Sequence, residues 1–206
     1  MSPVCFLDND IILKLVACSL FEEAVTCLGV AETDLRVLSD AKYVFRKSRR
    51  IAQKYPQAIR DSAILIVDRC TKIQPAPSEE LQELEVEGID PGERILISAT
   101  KYETSFYLTT GDKRCLTALA AATQLVEIRQ RLIGRVVCLE QLILKLIDQK
   151  GFDEVLAKVL PAREYDTALK AIFGSGEKAT QESVLQALEG YIEDLRKRTE
   201  GLLANL

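Results

Sequence analysis

Short apolar runs that end in acidic or turn residues alternate with longer stretches of helical periodicity as far as about residue 150. Val4 to Leu7 is wholly apolar and stops at Asp8-Asn9-Asp10, the pattern of a buried strand whose carboxyl end opens onto an acidic turn. Residues 11–28 are apolar on nearly every face, which predicts a heavily buried helix begun at Asp8, Asn9 or Asp10 and stopped by Gly29. Leu35 to Leu38 predicts a second strand. A helix over 40–54 follows, capped by Ser39 or Asp40, and Pro56 ends it and opens another to about Cys70. Residues 74–78 (Gln-Pro-Ala-Pro-Ser) predict a loop and 79–87 an acidic helix. Asp90-Pro91-Gly92-Glu93 leads into a helix, Phe106 to Thr109 reads as a strand, and Thr110-Gly111-Asp112-Lys113 turns into a helix over 113–123. Arg135 to Leu139 holds a further strand, followed by a helix to about Gln149.

Strands alternating with helices imply an α/β fold with a mainly parallel central sheet flanked by helices. In such a sheet ligands bind at the carboxyl ends of the strands, where Asp8 and Asp112 fall. After Gly151 the strand signal stops. Residues 151–160, 163–173 and about 179–204 all predict helix, broken at Gly174-Ser175-Gly176. The expected organisation is an α/β domain over 1–150 and a helical C-terminal extension over 151–206. Leu185, Leu188, Ile192 and Leu195 recur there at helical spacing and call for burial against the body or another chain, so a protein partner or self-association through these helices is expected.

Composition narrows the chemistry. Apolar residues make up 48% of the chain but aromatics only 6%, with no Trp, so the core is expected to be aliphatic. Histidine is absent, which excludes Ser-His-Asp and Cys-His nucleophile systems and imidazole zinc sites. Acid–base work then falls to carboxylates, Lys, Tyr or Cys. Cys5, Cys18, Cys27, Cys70, Cys115 and Cys138 form no C-x-x-C pair and predict buried, reduced thiols in a cytoplasmic protein. No signal peptide is expected from the N-terminus, and the run Ile11 to Val16 is too short and too punctuated by charge to span a bilayer, so no membrane partner is expected. The net charge of −4 argues against general electrostatic binding of nucleic acid, leaving local basic patches.

Asp8, Asp10, Asp90, Glu93 and Asp112 each stand beside a predicted element, where function usually lives. A magnesium or manganese site needs several such carboxylate oxygens from different segments. Each residue also has a structural reading. Asp90-Pro91-Gly92-Glu93 is a near-ideal helix start, with Asp as N-cap, Pro next and Glu reaching back. Asp112, Asp8 and Asp10 are equally good caps.

In order and spacing these residues resemble the PIN-domain family. Phe6-Leu7-Asp8-Asn9-Asp10 is similar to its first motif, an acid at the end of the first strand. Asp90 to Leu116 (DPGERILISATKYETSFYLTTGDKRCL) is similar to its later pair, a D-x-G-E/D segment opening a helix and a short strand ending in Thr-x-Asp. The resemblance spans roughly residues 4–145. It implies a PIN-like fold and metal-dependent cleavage of RNA, with Asp8, Glu93 and Asp112 as catalytic metal ligands and Asp10 and Asp90 as helpers. The family's acid on the helix after the second strand falls near Lys42 or Tyr43, and Asp40 is the nearest acid. That departure leads to a second expectation, a catalytically silent PIN-like module acting through protein or RNA binding. Asp8-Asn9-Asp10 also resembles the opening of haloacid dehalogenase-like phosphatases, but Ile11-Ile12 and the residues after Gly111-Asp112 do not continue that pattern.

The basic stretch from Lys42 to Lys54 is the concentrated positive patch of the chain. Lys42, Arg46, Arg49 and Arg50 are its candidates for holding RNA phosphates, with Tyr43 or Tyr55 stacking on bases. The alternative is a solvated helix face paired with the acidic helix Glu79 to Glu87.

Overall fold

The structure is a computed structural model that describes residues 2–74 and 78–206, so residues 75–77 of the predicted 74–78 loop lie outside the described residues. The run Val4–Leu7 forms β1, buried at every position, as a parallel strand covered on both faces must be. The chain then passes through α1 (Asn9–Ala17), α2 (Phe21–Cys27), β2 (Leu35–Leu38), α3 (Ala41–Lys47), α4 (Arg49–Lys54), α5 (Gln57–Arg69) and β3 (Thr71–Ile73). This passage lays β2 and β3 in succession on one side of β1. α6 (Glu79–Glu83) and α7 (Pro91–Ala99) carry it back. β4 (Phe106–Thr109), α8 (Lys113–Ala121), α9 (Val126–Leu132) and β5 (Val136–Val137) then build the other side. The five strands run parallel in the order β3-β2-β1-β4-β5, with Leu7 in register with Val37 on one side and Thr109 on the other. The α/β architecture is the one the hydrophobic pattern predicts.

Several boundaries differ from the pattern, each for a local reason. The expected helix over 11–28 is two helices. Ser19 takes a left-handed conformation (φ 53), and the amides of Ser19 and Leu20 bond back to the carbonyls of Val16 and Leu15. That double bond is a Schellman closure built without glycine, so apolar residues continue through it and periodicity does not register the stop. The expected helix over 40–54 breaks at Ser48, whose backbone is extended and whose hydroxyl accepts from the Ile51 amide at 3.4 Å to start α4. The acidic helix expected over 79–87 stops at Glu83. β3 and α9 had no clear signal; β3 is three residues long and buries only Ile73.

The C-terminal segment follows α10 (Leu139–Lys150) as α11 (Phe152–Val159), a 3-10 turn over Leu160–Tyr165, α12 (Thr167–Ile172) and α13 (Gln181–Arg198). The stripe of α13 that is buried is Val184, Leu188, Ile192 and Leu195, packed on α10, α12 and α8; Leu185 is only half-buried. Burying four aliphatic side chains contributes roughly 6–12 kcal/mol as an upper figure, so this segment is not a loose appendage. The last helix ends at Arg198 rather than near 204. The chain turns, and Leu203 lies parallel to Val136, with the Val136 amide donating to the Leu202 carbonyl at 3.0 Å and the Ala204 amide to the Val136 carbonyl at 2.7 Å. These bonds cover the edge of β5, which would otherwise offer unpaired backbone groups. All six cysteines are buried and free. Among the described residues no helix is long and apolar enough to cross a membrane.

Candidate functional site

The chain leaves β1 toward β2 and β3, then returns to its other side at β4. The crevice between the carboxyl ends of β1 and β4 is therefore the topological switch point, where open parallel sheets place their ligands. A cavity of about 620 Å³ opens there. Asp8 and Asp10 reach it from the end of β1, Asp40 from the end of β2, Asp90 and Glu93 from the start of α7, and Asp112 from the turn after β4. All five carboxylates singled out in the sequence thus line one cavity.

Their states differ. Asp8 occupies the N-cap position of α1, yet its side chain makes no capping hydrogen bond. The Thr110 hydroxyl donates to its Oδ2 at 3.4 Å. Loss of water, followed by the charges of Asp10 and Asp90, pushes its pKa up to about 7 against the pull of the Asn9 and Asp10 amides. Glu93 and Asp90 form a full capping box. The Asp90 amide donates to Glu93 Oε2 and the Glu93 amide to Asp90 Oδ1, both at 2.8 Å. Glu93 is buried, and desolvation with the neighbouring charges of Asp90, Asp112 and Asp8 raises its pKa to about 8, although the Asp90 amide favours the ionised form. Asp112 caps α8 through the amides of Arg114 and Cys115 and pairs with the Arg114 guanidinium at 2.9 Å. Burial works against its charge, but Arg114 and these amides prevail and hold it below the usual carboxylate range.

Asp10 is tied to a residue that the sequence reading passed over. Lys14, one turn further along α1 and only 6% exposed, pairs with Asp10 at 2.5 Å and with Asp166 at 2.6 Å. Burial disfavours its charge, and the two carboxylates overcome that and raise its pKa. The Asp10–Lys14 spacing of four residues was the available signal, a charged pair on an otherwise apolar helix. Asp166 comes from the turn before α12, together with Tyr165, whose ring stacks on the buried Tyr55 with centroids 4.9 Å apart. Sequence spacing carries no hint of these contacts, which join residues about 110–150 positions apart.

The basic stretch divides at the Ser48 break. Lys42 turns to Asp68 on α5, with its Nζ 2.6 Å from Oδ2, and Arg46 adds its charge to the same carboxylate. Tyr43 is 68% exposed. Arg49 is exposed and off the cavity wall, whereas Arg50 lines the cavity together with Lys54, and Lys113 and Arg114 line it from α8. Of the four predicted cations, Arg50 alone faces the acids. The residue matched to the family's second-helix acid, Lys42 or Tyr43, is absent from the cavity lining; Asp40 is present.

Among the described residues, no three His, Cys, Asp or Glu side chains are grouped as a ready metal cage. The reason is local. Asp10 is turned to Lys14, Asp112 to Arg114, and one oxygen of Glu93 to its own helix start. Asp8, Asp40 and one oxygen each of Asp90 and Glu93 remain. Such a hard, oxygen-only set fits a magnesium or manganese ion that keeps most of its waters, and not an all-protein cage. No family model, curated protein or solved structure matches the chain.

Proposed function

We propose that the cavity is the centre of a slow, PIN-like, magnesium- or manganese-dependent ribonuclease or nuclease. The observation that carries the reading is a pair of carboxyls from different segments, Asp8 and Glu93, lining one cavity and both raised toward neutrality by burial and by neighbouring carboxylates, with Arg50, Lys54, Lys113 and Arg114 lining the same cavity. Phosphates of a single strand suit these basic side chains, and the charge-frustrated pair suits a divalent cation. A bound ion would supply charge stabilisation at the scissile phosphate and an acidified water. Asp8 and Glu93 would hold that ion, which would relieve the repulsion that raises both carboxyls. Asp112, held by Arg114, orients the turn after β4, and the commitments of Asp10, Glu93 and Asp112 to other partners are why turnover is expected to be slow. The buried, free thiols fit a cytoplasmic location.

The same commitments favour a second reading, a silent module acting through protein or RNA binding. One experiment separates the two: thermal-shift titration with Mn²⁺ and Mg²⁺ beside cleavage of single-stranded RNA, for wild type and Asp8→Asn. The nuclease reading expects ion-dependent stabilisation and slow cleavage, both lost in the variant. Melting that does not respond to either ion in either protein, with no cleavage, selects the silent module.

A further inference from the structure

The position of Lys14 is specified from three directions. Asp10 lies one turn before it on α1, with Oδ2 2.5 Å from the ammonium. Asp166 approaches from the C-terminal segment. Its Oδ1 accepts from the Leu169 amide at 2.8 Å, which anchors it as the N-cap of α12, and its Oδ2 is left to hold Lys14 at 2.6 Å. Gly111 closes the third side. A Cβ at that position would stand 2.9 Å from both Asp10 Oδ2 and Lys14 Nζ, so any side chain there would press on the ion pair that the turn bearing Asp112 lies against. The ammonium therefore sits among the acids of the cavity, fixed by a carboxylate some 150 residues away in sequence.

We propose that Lys14 is a tethered counter-ion that takes the place of a second divalent cation, and that Asp166 is the positioning residue that holds it there. The proposal rests on the metal-dependent reading above. A site that clamps both the attacking and the leaving oxygen with two ions needs them about 3.5–4 Å apart, with carboxylates for each. Here Asp10, the carboxylate nearest in sequence to Asp8, is neutralised by a compact, single-charged ammonium that cannot leave. The cavity then has room for one hard divalent cation, at the Asp8–Glu93 end. This also gives the C-terminal segment a part in the site: without Asp166, Lys14 keeps a single partner.

The test is the number of Mn²⁺ ions bound per chain and their Kd, read from the free-ion EPR signal, for wild type, Lys14→Met, Asp166→Asn and Asp166→Glu. Wild type is expected to bind one ion. Lys14→Met is expected to bind a second, or to hold the first at least roughly tenfold more tightly, since a positive charge has been removed from the cavity that holds the ion. Asp166→Asn removes a negative charge while the Lys14–Asp10 pair stays, and should fold even if Lys14→Met does not; it is expected to shift binding in the opposite direction, toward a weaker Kd, and Asp166→Glu to restore wild-type behaviour. Two ions in wild type, or unchanged number and Kd in folded Lys14→Met and Asp166→Asn, overturns the proposal. No binding to wild type but binding to Lys14→Met upholds the tethered ion and sinks the metal-dependent reading of the native cavity. No binding to any of the proteins overturns both.

Discussion

Glu93→Gln separates the two roles of this residue because glutamine keeps one and loses the other. A Gln side-chain oxygen still accepts from the Asp90 amide, so the capping box that starts α7 survives. The charge is removed. In the folded chain the Glu93 carboxyl titrates at about 8, compared with 4.5 for an unhindered one. A raised pKa means that the folded state holds its proton more tightly than the unfolded state. The stability from Glu93 is then fully present below pH 4.5, declines as pH rises, and is lost above about pH 8. Each pH unit in that window costs about 1.4 kcal/mol, so the whole shift corresponds to at most ~5 kcal/mol. Water entering the open cavity screens part of this, which leaves about 2–4 kcal/mol. For a chain of this size that is roughly 4–16 °C in Tm. In metal-free buffer Glu93→Gln should therefore melt with wild type near pH 4.5 and several degrees above it at pH 8.5. Mn²⁺ at pH 8.5 should close much of that gap by stabilising wild type more than the variant. Parallel melting-temperature profiles for the two proteins between pH 4.5 and 8.5 would refute the claim that a buried, repelled charge resides at Glu93.

Gly111→Ala should lower stability by about 1–3 kcal/mol, because its Cβ would press on Asp10 Oδ2 and Lys14 Nζ at 2.9 Å; denaturant unfolding measures this, and an unchanged midpoint would show that the pair yields freely. Ending the chain after Lys150 should strip the cover from β5 and from the apolar face that α13 packs against, so gel filtration should find aggregation or a new oligomer, and a monomer with wild-type melting would contradict the packing described. Arg50→Glu and Lys54→Glu should weaken binding of single-stranded RNA and flatten its salt dependence by about 0.7 in slope per lost phosphate contact, whereas Lys42→Glu should not, because Lys42 faces Asp68. Fluorescence anisotropy across a salt series distinguishes these variants.

What the sequence revealed of this fold was its order of elements, and what it hid was mostly where tertiary contacts override local pattern. β1, β2 and β4 were legible because four-residue segments with at least three apolar positions, closed by a turn or an acid, have few alternatives. The break at Ser19 was not legible because its closure uses a serine in a left-handed conformation, where glycine is the usual signal. α13 was placed correctly in kind but one residue off in face. Leu185 shares the spacing of the buried stripe, yet Val184 is the residue that meets the core, and only the neighbours α10 and α12 decide between them. Asp166 was beyond reach for the same reason: a lone Asp before a helix signals a cap, which it is, and says nothing of Lys14 on α1.

The ambiguity between cap and ligand follows from the architecture itself. In a parallel sheet the carboxyl end of each strand leads to the amino end of a helix, so the residues best placed to reach a ligand are also those best placed to satisfy free amides. Residue type cannot separate the two roles, since an Asp or Glu serves both. What separates them is how many oxygens remain after the helix has been satisfied. Asp112 bonds two amides and a guanidinium, Asp90 gives Oδ1 to the Glu93 amide, and Glu93 gives Oε2 to the Asp90 amide. Asp8 occupies a cap position and gives nothing to the cap. By that count Asp8, Asp40 and one oxygen each of Asp90 and Glu93 keep unused capacity in the cavity, and of these Asp8 and Glu93 are the acids that burial and repulsion drive furthest from their ordinary range. Hydrogen-bond commitment sets Asp112 aside, and electrostatic frustration then singles out Asp8 and Glu93 among the acids that remain, which is why the proposed site is centred on those two and not on the Asp112 turn.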